Sequence, residues 1–585
     1  MDIPLVGHAP GRAMTAVAAN ETPPRARRPV GLPGLGFGWI AIIALAARGL
    51  HLWQTRGQPV SAVLLGDAHA YDAWARGIAA GDWLGDEVFY QSPLYPYWLA
   101  VVYRLTGGSV TAVRVIQSGL GAASCVMLAE AARRFFSRRV GWVAGLILAV
   151  YPTAVFFDGI LQKASLDMFL TTLLLLLVAR ASPRGGPRAW FAIGLVLGAL
   201  ALNRENALVL FVPLTLWIVW LGHDAPAPSS AARAGSLAWT RPWASCALGC
   251  ALVLAPVAIR NRLVGGELEV TTSQLGPNFF IGNHAGASGR YEPLRWGRGD
   301  AEYERSDATE LAEKALGRDL SPGEVSRYWL DRGLQYVRSQ PLDWLRLIGR
   351  KALLLVNWVE ITDTEDQYTW AEHSWVLSST LAFLHMGVVL PLAAAGIVVS
   401  LPSLRRIWIL HAFLLSYAAS VLLFFVTARY RYPLLPLLIL FAAVAVAQPW
   451  RELGRRDFRT VAIALVAAIT AGLVANRRIV DPGTMRATTL INLGTELALR
   501  GDKGGAAQDF RRAIQFAPDL GEAQFNLGLA LIDLDRLDEA VAPLRRAAEL
   551  MPDAPAPRQA LRWIQNQKTK RAGTSGATRV PESEH

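Results

Sequence analysis

Cysteine is scarce. There are three in 585 residues, Cys125, Cys246 and Cys250, all inside apolar runs, and neither a disulfide framework nor the Cys/His spacing of a zinc site is legible. Charge is scarce too. Asp, Glu, Lys and Arg make up 18% of the chain, below the roughly one quarter usual in soluble domains. What fills the space is apolar: 52% of residues are hydrophobic, 20 of them Trp, and they gather in runs of about 16 to 25 residues. That pattern reads as an all-α polytopic membrane protein. The net charge of +12 does not imply a nucleic-acid partner, because most of the arginine lies in short turns between runs, where it sets orientation in the bilayer.

Residues 1–35 are rich in Ala, Pro and Arg and read as a disordered cytoplasmic N-terminus. Arg25, Arg27 and Arg28 precede the first run, and no convincing small-residue cleavage site follows it, so an uncleaved anchor is expected. About eleven spans can be threaded through residues 36–476. Arg133-Arg134, Arg138-Arg139, Arg184, Arg188, Arg405-Arg406, and Arg451, Arg455, Arg456 and Arg459 then fall on one side, taken as cytoplasmic. Asp67, Asp158, Arg204, Arg429, Arg431 and two long loops, 53–110 and 260–375, fall on the other, taken as periplasmic. Cys246 and Cys250, one helical turn apart, read as small packing residues. Residues 223–243, rich in Pro, Ala and Ser, read as a cytoplasmic linker.

The most informative stretch follows the first run: Gly66-Asp67-Ala68-His69-Ala70-Tyr71-Asp72, then Gly81-Asp82-Trp83 and Pro93-Leu94-Tyr95-Pro96. It is too polar to span a bilayer, and ionisable groups held at a membrane face are costly to desolvate, which makes them functional candidates. The competing reading of Asp67 is an N-cap for an interfacial helix over 71–80. Asp72, inside that helix, reads as structural. The motif resembles that of the GT-C glycosyltransferases of the protein O-mannosyltransferase and aminoarabinose-transferase type, glycosyltransferase family 39. In these an Asp follows the first span, then a Tyr/Trp-rich amphipathic helix, Gly-Asp-Trp and Pro-x-x-Pro. The resemblance covers roughly residues 36–448 and weakens after the first loop.

The resemblance implies transfer of a sugar from a polyprenyl-phosphate donor at the outer membrane face, with inversion. A hydroxyl or amine acceptor must lose a proton as it attacks the anomeric carbon, and Asp67 carries over as the base. The leaving lipid phosphate needs cations just outside the hydrocarbon. Arg429 and Arg431, in an Arg-Tyr-Arg-Tyr-Pro element similar to one in this family, suit that role, since planar guanidinium forks match phosphate oxygens. With them present a divalent metal ion is allowed but not required, and no cofactor is implied. Tyr71, Asp158 and Lys163 are further substrate-binding candidates. Arg204 either lines the cavity or forms a self-compensated pair with Glu205. In the insertion, Asn283 and His284 end a Gly- and aromatic-rich stretch that reads as a loop over a sugar, or as an ordinary tight loop; no Gly-Lys-Ser/Thr makes it a P-loop. Glu360, Asp363, Glu365 and Asp366 read as a solvated acidic loop in preference to a divalent-ion site. Ser321-Pro322-Gly323-Glu324 is a capping box that predicts a helix to about Arg338.

Near the C-terminus a 34-residue repeat places Leu493-Gly494, Ala506, Phe510 and Pro518 in register with Leu527-Gly528, Ala540, Leu544 and Pro552. It resembles the tetratricopeptide repeat and predicts an α-helical domain over 485–567, a capping helix at 556–567 and a disordered tail over 568–585. Such a domain would be a stabilising appendage or a docking surface for a protein partner or acceptor. The acceptor class (protein, lipid or glycan) and the donor sugar stay open. A lipid-linked sugar carrier, a non-catalytic scaffold and an oligosaccharide polymerase or ligase of the same fold are the alternatives.

Overall fold

The computed structural model describes residues 36–181, 186–224, 239–295, 298–299, 301–448, 450 and 457–576. The N-terminal 1–35 segment, most of the 223–243 linker, Arg184, Arg451, Arg455, Arg456 and the end of the tail lie outside the described residues. Among the described residues every regular element is helical.

Each apolar run falls on a helix, and two of them break. The run after Arg139 divides into Arg138–Val150 and Pro152–Gly159, bent by 51°. The reason is local: Tyr151, before proline, adopts an extended conformation at φ −66°, ψ 119°, which ends the first helix. The run over 376–400 divides into Trp375–Leu381 and Met386–Ser400, and the His385 ring accepts from Gly387 N at 3.2 Å to cap the second piece. Among the described residues five helical runs are long and apolar enough to cross a membrane, or six with the bent pair counted as one span. One of the five, Met386–Leu422, reverses at Leu401–Ser403. Gly396 and His411 both pack on Phe441, whereas a straight helix would hold them about 22 Å apart. The first run, Gly38–Thr55, carries Arg48 and His51, both buried.

The helices pack closely where side chains are small. Pro187–Asn203 lies against Thr240–Gly265, and a Cβ on Gly194 would sit 1.9 Å from the Cys246 carbonyl oxygen. Gly249 meets the opposite helix at Phe191 in the same way. Cys246 and Cys250 are free and buried in this contact, serving as small residues that allow close backbone approach. Gly194→Leu is therefore expected to force the pair apart and cost at least about 1–3 kcal/mol, seen as a lower melting temperature in detergent; an unchanged melting temperature would refute the tight contact.

Among the described residues five helices lie wholly within the insertion: Leu275–Gly282, Ala301–Leu316, Pro322–Ser339, Pro341–Val356 and Gln367–Ala371. The capping box forms at Ser321 and Glu324. The Gly/aromatic stretch expected as a loop is instead the first of these helices. Gly276 sits against the Ser326 backbone and Phe279 fills the space above Gly333. At the C-terminus the repeat becomes two hairpins, Pro482–Leu499 with Lys503–Phe516 and Gly521–Asp533 with Leu537–Leu550. Equivalent contacts close each: Gly494 on Phe510, Gly528 on Leu544. The last helix, Ala556–Gly576, runs past the expected end of the cap into the part read as disordered tail, where Lys568 pairs with Asp538 at 2.5 Å and Arg571 with Asp535 at 2.5 Å.

Candidate functional site

Gly66, at φ +47°, makes a turn that residues with a Cβ rarely adopt, and the helix Asp67–Ala80 starts immediately after it. Asp67 is the first helical residue. Its carboxylate caps nothing, which removes the competing N-cap reading. It points instead across the fold: one oxygen accepts from Gln91 Nε2 at 3.3 Å, and the other pairs with Arg429. Arg429, on the short helix Ala428–Arg431, also pairs with Asp363 at 2.7 Å. Its guanidinium thus occupies the gap between two carboxylates. Tyr71, one turn after Asp67, packs edge-on against Tyr95, and its buried hydroxyl has no hydrogen-bond partner.

Tyr71 and Arg429 line a narrow polar cavity with Gln91, Lys163, Gln274, Asn278, Tyr291, Glu304, Phe425 and Tyr430. Lys163 Nζ donates to Ser92 Oγ at 3.1 Å. Ser92 in turn donates to Glu205 at 2.7 Å, and Glu205 also accepts from Thr272 at 3.0 Å and Gln274 at 2.9 Å. Roomier clefts lie elsewhere, one lined by Trp53, His373 and Trp375 and one by Trp358, Arg486 and Phe516, but Glu372 is the one carboxylate in either.

The electrostatics separate the acidic groups. Burial alone would push the Asp67 carboxyl up, but the Arg429 guanidinium and the Lys163 ammonium overcome it and hold Asp67 below the ordinary carboxylate range. Glu304 is pushed up by burial to about 8. Asp363 is raised by burial despite Arg429. Lys163 is lowered by burial to about 8, Glu205 opposing the shift. The shifts thus run in opposite directions, toward the ionised form at Asp67, which pairs with the cavity-lining Arg429, and toward the protonated form at Glu304, which lines the cavity itself.

Other candidates are placed differently. Arg204 pairs with Asp167 at 2.6 Å and lies over the Tyr430 ring at 5.0 Å, so the self-compensated pair with Glu205 does not form. Asp158 is buried against Arg48 at 2.7 Å, in contact with the first apolar helix. Asn283 is buried and saturated: it donates to the carbonyls of Phe279 and Leu423 and accepts from Trp344 and Lys351. His284 stacks on Phe280 at 5.2 Å and bonds to the neighbouring Ala285 carbonyl at 2.8 Å. The acidic run is not a solvated loop. Glu360 pairs with Arg431, Asp363 with Arg429, Glu365 accepts from Trp370 at 3.0 Å, and Asp366 caps the helix Gln367–Ala371. Among the described residues no group of three or more His, Cys, Asp or Glu side chains is placed to hold a metal ion.

Arg431 faces away from Asp67. Its guanidinium binds Glu360 at 2.7 Å and donates to the carbonyls of Leu355, Asn357 and Val359 at 3.1, 2.6 and 3.2 Å. No donor is left for a phosphate. Helix geometry explains this, because residues two apart on a helix point about 200° away from one another. Arg431→Ala is expected to destabilise the fold by about 3–5 kcal/mol, since it strands a buried Glu360, seen as a lower melting temperature in detergent. An unchanged melting temperature would show that Arg431 is not what holds Glu360 in the interior.

Residues 90–259 match the family of dolichyl-phosphate-mannose-protein mannosyltransferases. That family is of the GT-C type. The match spans less than a third of the chain but begins at Tyr90, inside the first loop, and includes Lys163, Arg204 and Glu205. Comparison with curated proteins found no match. Among solved structures the chain is similar to an Archaeoglobus fulgidus oligosaccharyltransferase in complex with Zn and sulfate, at 15% identity, 75% of this chain, 52% of that chain and TM-score 0.43. It is also similar to ArnT from Cupriavidus metallidurans bound to undecaprenyl phosphate, at 15% identity, 87% and 80% coverage and TM-score 0.39. The chain spans about half the length of the archaeal structures it resembles.

Gln91 and Glu304 had no visible signal in the sequence, and Glu205 was legible only as a partner for Arg204. Glu304 is one of many acids on a polar helix, and Gln91 an uncharged residue in a loop. Asp363 carried a signal, the acidic run, that pointed to solvent.

Proposed function

We propose that the protein is a membrane glycosyltransferase that moves a sugar from a polyprenyl-phosphate donor to an acceptor at the periplasmic face of a bacterial inner membrane, with inversion at the anomeric carbon. The observation that carries this reading is the convergence of one ionised carboxylate, Asp67, with Arg429 and Lys163 in and around a single polar cavity. The family match supports a lipid-phosphate-linked donor.

In this mechanism Asp67 accepts the proton that the acceptor hydroxyl or amine loses as it attacks the anomeric carbon, and the bond to the phosphate oxygen breaks on the opposite face. Arg429 and Lys163 neutralise the phosphate that leaves. Arg429 starts bound to Asp67 and Asp363, so an arriving phosphate competes for it, and each contact it takes over frees Asp67 as a base. Protonated Glu304 can donate a hydrogen bond to a sugar or phosphate oxygen. The C-terminal hairpins form a tetratricopeptide-type domain with a surface for a protein partner or acceptor.

The test uses proteoliposomes holding the full chain, undecaprenyl-phosphate-linked radiolabelled mannose, glucose, N-acetylglucosamine and aminoarabinose, and candidate acceptors. Release of undecaprenyl phosphate with label transferred by wild type, and neither by Asp67→Asn, supports the reading. Equal turnover by the two proteins would refute it.

A further inference from the structure

The segment that carries Asp363 is held from two sides. On one, Ala428 N donates to the Ile361 carbonyl at 2.8 Å and Arg429 pairs with Asp363 at 2.7 Å. On the other lies the first helix of the C-terminal hairpins, Pro482–Leu499. There Thr489 Oγ1 accepts from Asp366 N at 2.9 Å, Asn492 Nδ2 donates to the Thr364 carbonyl at 2.9 Å, and Met485 Sδ accepts from Thr362 N at 3.1 Å. Asp363 therefore sits between two residues whose backbones are both tied to that helix. Thr489 is fully buried, a site where a hydroxyl without a partner would be costly, and this backbone amide supplies the partner.

We propose that Thr489 and Asn492 are positioning residues of the transferase site. They hold Asp363 against Arg429, and so set how much of the guanidinium's charge is available to an incoming lipid phosphate. The C-terminal hairpins are then part of the frame of the site, and a tilt of their first helix moves Asp363. The inference rests on Arg429 as the phosphate ligand.

The sign of the effect separates positioning from damage. Asp363 is an anion beside the cation that a phosphate would use; withdrawing it makes the cavity more positive, so anion binding tightens. A variant that merely loosens the fold weakens binding. The experiment measures undecaprenyl phosphate affinity of the purified full chain in detergent. Asp363→Asn is expected to bind roughly fivefold tighter, and Thr489→Val/Asn492→Ala to shift the same way by roughly twofold or more. Added to Asp363→Asn, the pair should change nothing further, and Thr489→Ser, which keeps the acceptor oxygen, should behave as wild type. Should the double variant fold poorly, the isosteric Thr489→Val alone carries the same sign. Weaker or unchanged binding, or additive effects, would overturn the positioning role. Undiminished binding by Arg429→Ala, or none by wild type, would overturn the phosphate assignment first and this inference with it.

Discussion

Asp67→Asn is expected to lower sugar transfer by about 10²–10⁴-fold while the protein still inserts, folds and binds undecaprenyl phosphate. The amide keeps the size of the carboxylate and can still accept from Gln91, but it cannot take the acceptor's proton. It also removes a negative charge beside Arg429, so lipid-phosphate affinity should hold or rise as turnover falls. That divergence distinguishes a lost base from a lost fold. In wild type, Arg429 and Lys163 keep Asp67 ionised to below the ordinary carboxylate range, so Asp67 itself imposes no loss of activity between pH 5 and 7, within about the range where an unshifted Asp is already ionised. Transfer by Asp67→Asn within a few-fold of wild type would remove Asp67 from the chemistry.

Arg429→Ala should weaken undecaprenyl phosphate binding by roughly 30-fold or more, the order of effect for truncating one partner in a buried charge cluster. It also leaves Asp67 and Asp363 beside each other without the cation between them. Both carboxyls must then rise, because burial and mutual repulsion remain after the stabilising charge has gone. Arg429→Lys retains enough activity to read the consequence. A single ammonium cannot fork to both carboxylates, so the acid limb of the pH–rate profile should move to higher pH. Measured side by side, affinity by lipid titration and the limb by initial rates, the two substitutions test one assignment in two ways. If affinity and pH profile both stay at wild-type values, Arg429 is a structural arginine and the phosphate site lies elsewhere.

The contrast between Arg429 and Arg431 shows where reading residues along the chain stops being informative. Both sit in one Arg-Tyr-Arg element, both are largely shielded from solvent, with 12% and 2% of the side chain exposed, and both pair with a carboxylate from the 360–363 segment. One reaches the Asp67 cavity and the other is enclosed by the backbone carbonyls at the end of the helix Pro341–Val356. The same limit applies to Asp158 and Lys163, five residues apart. Asp158 is consumed by Arg48, an arginine inside the first apolar helix, while Lys163 reaches the cavity through the turn that the 51° bend at Pro152 sets up.

The all-helical class, the membrane character and the helix start at Ser321 were legible along the chain, because they depend on hydrophobic run length and on proline and capping residues, which act within a few residues. Asp67 was legible as a candidate from its place just after an apolar run and from the motif around it. Which cation meets Asp67, which acids stay protonated and what holds Asp363 were decided only by the tertiary structure. Asp67 and Arg429 are 362 residues apart, and Thr489 reaches Asp366 across 123. Charge and burial act through space, so the same acid-arginine vocabulary makes an enclosed pair at Arg431 and a cavity-lining cluster at Arg429 according to what the fold brings beside each.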